Sequence, residues 1–197
     1  GQKTAALCQL ITENKWQQVL VFMPTKHEAN RLSEQLTFAG IPSAALHGNK
    51  SQNARTKALA DFKANELQVL VATDVAARGI DISQLPYVVN FALPRSPADY
   101  VHRIGRTGRA GREGRALLLV TPRERRMLQV IERVTGQKVA EVRLPDAQAV
   151  LDARIKKLTN SLSPLVAEAE STHGDLLDRL TADIGCSPRA LAAALLR

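Results

Sequence analysis

His102-Arg103-Ile104-Gly105-Arg106-Thr107-Gly108-Arg109-Ala110-Gly111-Arg112 sets arginines at 103, 106, 109 and 112, with glycines at 105, 108 and 111 between them. Guanidinium forks at this spacing suit the oxygens of a polyphosphate, which they grip bidentately where lysine acts as a point charge. Most arginine runs are solvated basic loops. A solubilising run has no need of glycine at every third residue directly after the amphipathic stretch Tyr100-Val101-His102-Arg103-Ile104.

Outward from that stretch, apolar runs of strand length alternate with amphipathic segments. Residues 3–15 read as an opening helix on the spacing of Ala5, Ala6, Leu7, Leu10 and Ile11. Val19-Leu20-Val21-Phe22-Met23 is a continuous apolar run, as in a parallel strand covered on both faces. Residues 26–38 form a helix stopped by Gly40 and Pro42. Ser43-Ala44-Ala45-Leu46 is a strand and 51–63 a helix, and the runs at 68–72, 87–91 and 115–120 are strands. A loop with Gly79, a Pro97-led helix toward Arg103 and a charged helix over 122–134 lie among them. The alternation predicts an α/β fold with a parallel sheet flanked by helices, whose ligand crevice lies at the carboxyl ends of the strands. Thr25, His47-Gly48 and Thr73-Asp74 each follow a strand, so the polar candidates gather on one edge.

The 197 residues accommodate one compact domain with an appendage, or two small domains. Lys and Arg total 27 against 19 Asp and Glu, a net charge of +8, so a polyanionic partner is the first class to consider. Cys8 and Cys186 form no Cys-x-x-Cys pair, and no histidine cluster accompanies them, so neither a disulfide framework nor a metal site is signalled. The start is no signal peptide and no apolar run approaches a membrane span, which predicts a cytoplasmic protein without membrane attachment. The chain does not begin with methionine, as expected of a fragment.

At residues 102–109 the sequence resembles motif VI of the DEAD-box RNA helicases, matching its pattern His-Arg-Ile-Gly-Arg-Thr-Gly-Arg throughout. Ala72-Thr73-Asp74-Val75-Ala76-Ala77-Arg78-Gly79-Ile80-Asp81 matches the family's motif V. Val21-Phe22-Met23-Pro24-Thr25 is similar to motif IV, and Gln52-Asn53-Ala54-Arg55 fits its Gln-x-x-Arg element. Ahead of that element stands His47-Gly48-Asn49, with Asn49 where the family usually carries aspartate.

The resemblance implies a RecA-like, three-layer sheet over residues 1–140 that forms half of an ATP site. Arg106 and Arg109 would be arginine fingers on ATP, His102 a link between the ATP and RNA sites, and Gly79 and Asp81 neighbours of the nucleotide, with Asp81 on the ribose. Thr25, Gly48, Gln52, Arg55, Thr73 and Asp74 would line the RNA. A finger is worth on the order of 10³ to 10⁵ in rate, roughly 4 to 7 kcal/mol. Simpler roles stay open beside these: a helix cap for Thr25 and for Asp74, and a salt bridge for Arg78. The chain contains no Gly-x-x-x-x-Gly-Lys-Ser/Thr loop and no Asp-Glu-Ala-Asp, so Mg²⁺ would be held by a missing N-terminal domain and the chain alone would be inactive.

Beyond residue 140 the pattern turns helical. Leu151, Ile155, Leu158 and Leu162 mark one apolar stripe, Leu176, Leu177, Leu180 and Ile184 a second opening near Asp175, and Ser187-Pro188 starts a last helix. About fifty residues in short helices bury little by themselves, so the stripes of this small all-α module, residues 141–197, need a partner surface: their own α/β domain, or, in the sharper reading, a second copy in a homodimer. Such a module is similar to the one that follows the helicase core in cold-shock DEAD-box helicases and in the heat-resistant RNA-dependent ATPase. Two other functions stay open: a DNA translocase of the same superfamily, which would share the glycine-arginine pattern, and a non-enzymatic dimeric RNA-binding scaffold.

Overall fold

A computed structural model describes residues 2–78, 82, 84–108, 113–142 and 147–195. The chain divides into two units, Gly1–Glu141 and Val142–Arg197.

In the first unit, α1 (Gln2–Glu13), β1 (Val19–Met23), α2 (Lys26–Phe38), β2 (Ser43–Leu46), α3 (Gln52–Lys63), β3 (Val69–Thr73), α4 (Asp74–Arg78), β4 (Tyr87–Asn90), α5 (Pro97–Ile104), β5 (Arg115–Leu118) and α6 (Arg125–Thr135) follow in order. The strands make one sheet in the order β2-β3-β1-β4-β5, every pair parallel. β1 sits at its centre and every residue of β1 is buried. This is why its run carries no polar alternation. Val19, Val21 and Met23 pack with Leu7 and Ile11 of α1 and Leu32 and Leu36 of α2. Leu20 and Phe22 pack on the other face with Phe62 of α3 and Ala76 and Ala77 of α4. Successive strand side chains alternate between faces, so each face receives its own core.

Local chemistry sets the helix bounds. Thr25 caps α2, its hydroxyl accepting from the Glu28 amide at 3.2 Å. Ser51 caps α3 in the same way through the Ala54 amide at 3.3 Å. Lys3 Nζ donates to the Phe91 carbonyl at 3.0 Å and to Glu124 Oε2 at 2.8 Å, fastening α1 to the end of β4 and to the turn before α6.

Three elements differ from the sequence reading. Asp74–Arg78 is a short helix in a stretch read as a loop with Gly79, with a helix only implied by the cap role left open for Asp74; Ala76 and Ala77 bury against the sheet and fix its turn. The helix expected over 122–134 is split: Thr121 and Glu124 form a reciprocal cap that tightens Pro122–Glu124 into a 3₁₀ turn before α6.

The third difference lies in the second unit, where the two expected stripes lie on one 38-residue helix, α7 (Ala147–Ile184), followed by α8 (Pro188–Leu195). An interior glycine such as Gly174 costs only about 1 kcal/mol relative to alanine, too little to end a long helix, and α7 also runs through Pro164. Among the described residues no helix is long and apolar enough to cross a membrane.

Candidate functional site at the carboxyl edge of the sheet

Strand register decides where the polar residues meet. Met23 pairs with Thr73, Leu46 with Ala72, and Phe22 with Asn90, so the carboxyl ends of β1, β2, β3 and β4 are level. Thr25, His47, Asp74 and Ala92, the residues that follow, therefore share one edge.

α5 delivers the arginine stretch to that edge. Ser96 caps it, accepting from the Asp99 amide at 3.2 Å, and Pro97 occupies its first turn. Asp99 in turn receives Arg78 at 2.5 Å, the salt bridge left open for Arg78 by the sequence. On a helix, consecutive side chains point about 100° apart. His102 is exposed while its neighbour Arg103 is buried, only 3% of it accessible.

Arg103 thus faces into the protein rather than toward a polyphosphate. Its Nε and Nη2 donate to the two oxygens of Asp74 at 2.6 and 2.8 Å. Nη1 donates to Asn90 Oδ1 and to the Ala92 carbonyl, both at 2.9 Å. The guanidinium also lies over the Phe22 ring, 5.0 Å from its centroid. A buried charge is tolerated only when paired and hydrogen-bonded, and here both conditions hold. The clamp joins α5 to the ends of β1, β3 and β4 at once.

Arg106 lies half-buried just past Gly105, with Nη1 donating to the Ile82 carbonyl at 3.4 Å. The Leu85 amide donates to the Arg106 carbonyl at 3.0 Å, and the Thr107 hydroxyl donates to the Leu85 carbonyl. Gly108 has φ +67°, a backbone region that suits glycine, and a Cβ on Gly114 would overlap the Thr107 hydroxyl and the Gly108 backbone. A crevice lined by Phe22, Asp74, Ala77, Arg78, His102, Arg103 and Arg106 opens beside the clamp.

The expected site residues fall into two groups. His102, Arg106 and Asp74 line one crevice with Arg103, Asp74 committing both carboxylate oxygens to it, and Thr73 precedes Asp74 at the end of β3. Thr25, Gly48, Gln52 and Arg55 lie at the starts of α2 and α3, where Arg55 donates to Gln52 Oε1 at 3.3 Å. Gly48 is exposed, with open space where a side chain would be. Gly79, Asp81 and Arg109 lie outside the described residues. The helix-capping role of Thr25 is realised, and its hydroxyl also donates to the Glu28 carboxylate at 2.7 Å. Asp74 is the first residue of α4 rather than its cap.

Arg103 and Asn90 are the residues that the sequence reading did not single out. A signal existed for each. Arg103 stands three positions after Tyr100, on the face that Tyr100 buries. Asn90 is the single polar side chain in the otherwise apolar end of the Val88-Val89-Asn90-Phe91 run.

A domain with this sheet order and this arginine-bearing helix at its carboxyl edge is of the helicase C-terminal class, and the family model described as "Helicase conserved C-terminal domain" matches residues 2–111. The chain belongs to the DEAD-box RNA helicases, as their C-terminal RecA-like domain. It is 39% identical over its full length to the ATP-dependent RNA helicase DeaD of Buchnera aphidicola, of which it spans 33%. Among solved structures it superimposes on the E. coli DEAD-box protein SrmB bound to RraA with a TM-score of 0.68 and 39% identity, over 73% of this chain and 84% of that one. The S. cerevisiae Dbp5 bound to RNA and ADP-BeF3 matches with a TM-score of 0.65 and 34% identity, over 79% of this chain and 41% of that one. The chain thus spans about a third of the length of the curated relatives it matches.

Proposed function

We propose that this chain is the ATP-completing and RNA-gripping half of an ATP-dependent RNA helicase, working against a first RecA-like lobe in the parent protein. The observation that carries this reading is the Arg103 clamp. It holds the end of α5 against the strand edge bearing Thr73 and Asp74, so Arg106 is presented from a rigid support. Positioned positive charge is what phosphoryl transfer needs, because catalysis there is mostly placement and electrostatics.

In this reading Arg106 and Arg109 face the triphosphate, His102 stands exposed between the two groups of residues, and Gly79 and Asp81 lie beside the nucleoside. The residues described on this half are suited to gripping phosphate rather than a cation. Among them no cluster of three or more His, Cys, Asp or Glu is placed to hold a metal. Mg²⁺ would therefore sit on the other lobe, where bound it neutralises charge on the phosphates. Thr25, Gly48, Gln52, Arg55 and Thr73 follow the RNA backbone, with Asp74 acting through Arg103. Closure of the two lobes brings the arginines to the phosphates and bends the RNA, and reopening releases it.

Residues 141–197 form the second part of the proposal, a homodimer. Support comes from α7, on which Ile155, Leu158, Leu162 and Val166 are exposed at helical spacing, as are Leu176, Leu180 and Ile184 further on.

The deciding measurement is ATP turnover of the parent helicase. Arg106→Ala should lower RNA-stimulated ATPase by about 10³-fold while RNA affinity changes little. Equal loss of both activities would contradict the assignment of Arg106, and stimulation by DNA as strong as by RNA would favour a translocase.

A further inference from the structure

α6 carries apolar side chains on two sides. The inner side has Ile131, fully buried, with Met127 and Leu128 half-buried beside it, and holds the helix on the first unit. The outer side has Val130 and Val134, one turn apart and 39% and 65% exposed. Valine is a weaker helix former than alanine, leucine, lysine or glutamate, because the preceding turn restricts its side chain. Two valines facing water therefore do nothing for α6 itself.

Arginines surround them. Arg126, Val130 and Val134 follow at intervals of four along one row, and Arg133 stands beside Val130, three positions on. Arg123 lies in the 3₁₀ turn just before. All three arginines are exposed. Arg133 suits the negative carboxyl end of the helix, but Arg126 sits in the first turn, where the helix dipole disfavours a cation.

Among the described residues none of these arginines has a carboxylate within ion-pair distance, although three acids stand close in sequence. Glu124 is committed to Lys3 Nζ at 2.8 Å and to Thr121. Glu132 accepts from the Val139 amide at 2.9 Å and lies 3.8 Å from Lys138. Glu141 lies 3.7 Å from Arg125. Arg125 and Lys138 thus have acids of their own chain, and the arginines around the valines have none.

We propose that the outer face of α6 docks an acidic amphipathic helix of another protein. Its apolar side chains cover Val130 and Val134, and carboxylates two turns apart meet Arg126 and Arg133, themselves about 10 Å apart along the axis. The valines decide between protein and RNA: a phosphate strand gains nothing from aliphatic surface, and a base-stacking platform is aromatic. An arginine rim around an apolar centre is the usual composition of a protein interface. Two valines make a small centre, so the complex is of the exchangeable kind, with the arginines setting orientation and partner choice.

The test uses the 197-residue chain and the fluorescence anisotropy of a labelled peptide. The peptide is alanine-based and about 18 residues long, five helical turns, with leucines in one row and glutamates two turns apart beside it. It should bind, and its counterpart with lysine for every glutamate should not. Arg126→Gln and Arg133→Gln should each weaken binding about 3- to 10-fold. Val134→Asp should weaken it at least about 10-fold, since it removes apolar contact and adds a charge of the partner's own sign. Arg31→Gln, an equal charge change at an exposed position of α2, should bind the peptide as the unaltered chain does. The arginine variants should melt with the unaltered chain. Binding of the glutamate peptide no better than of its lysine counterpart would overturn the proposal, as would equal losses in Arg31→Gln and Arg126→Gln. Displacement of the peptide by an oligouridylate, with matching loss of RNA affinity in the arginine variants, would overturn it and give the face to RNA. Loss of self-association in those variants would overturn it too, giving the face to a second copy of the chain. None of these results touches Arg106, whose reading is decided by ATP turnover.

Discussion

Arg103 and Asp74 form a bidentate ion pair, Nε to Oδ1 at 2.6 Å and Nη2 to Oδ2 at 2.8 Å, between the helix that carries the arginine stretch and the end of β3. The arginine is almost wholly buried and the carboxylate about two-thirds so, with side-chain exposures of 3% and 31%. Two N–H groups on two oxygens in one plane fix the angle of α5 as well as its distance, which a single contact does not.

Asp74→Ala should therefore be costly, because it strands a buried guanidinium. Breaking a buried pair costs about 3–5 kcal/mol, and the partial exposure of Asp74 puts the expectation toward the lower end. Urea unfolding of the chain measures it. A loss under about 1 kcal/mol would mean that Asn90 and the Ala92 carbonyl hold Arg103 unaided.

Gly114→Ala tests the turn that follows the arginine stretch. The new methyl group would meet the Thr107 hydroxyl and the Gly108 backbone, neither of which is the free end of a flexible side chain. A loss of about 1–3 kcal/mol is expected. In contrast, Gly48→Ala has open space and should leave the melting temperature within the scatter of ordinary surface substitutions.

Acid should destabilise the first unit through two groups. The folded chain protonates His47 only below the ordinary imidazole value of 6.5, so as pH falls past 6.5 the unfolded chain binds the additional proton and stability drops. Lys50, Lys26 and His27 face it, and Asn30 holds its other nitrogen. Glu124 acts at lower pH. Burial alone would raise its carboxyl, but hydrogen bonds from Lys3 and from the Thr121 side chain and backbone outweigh that and hold it below 4.5. Its contribution is present above 4.5 and is lost as pH falls through its folded value. Unfolding free energy measured from pH 7 downward should fall in two steps, and His47→Gln should remove the first.

The apolar face of α7 should drive self-association. Sedimentation of the chain is expected to show a dimer that Leu158→Asp or Ile184→Asp dissociates, with the helical circular dichroism of the remaining monomer reduced. A chain that stays monomeric at tens of micromolar before any substitution would rule the dimer out.

Much of the architecture was legible locally. The central strands β1 and β3 are buried on both faces, so their runs are apolar without interruption and cannot be mistaken for surface segments. The bounds of α2 follow from its Thr25 cap and from Gly40, whose φ of +80° ends the turn. The helix start before Leu191 likewise follows from Ser187, whose hydroxyl accepts from the Ala190 amide. Each of these depends on side chains within a few positions of one another, and a sequence displays such neighbours directly.

What folding alone decided is how distant residues meet. Four arginines at equal spacing look alike in sequence, yet Arg103 turns inward because Asp74, Asn90 and Phe22 arrive beneath it from three different strand ends. The pairing of His47 with Asn30 likewise depends on β2 lying two strands from β1, so that the chain after it returns to the start of α2. The joining of two apolar stripes into one α7 was hidden for a different reason: each stripe marks a buried or buriable face, and nothing in the stripes themselves shows that the helix continues through the residues between them. Local propensity and burial pattern wrote the elements into the sequence, while strand order and register, which are long-range packing outcomes, chose which charges are buried and which are left for a ligand.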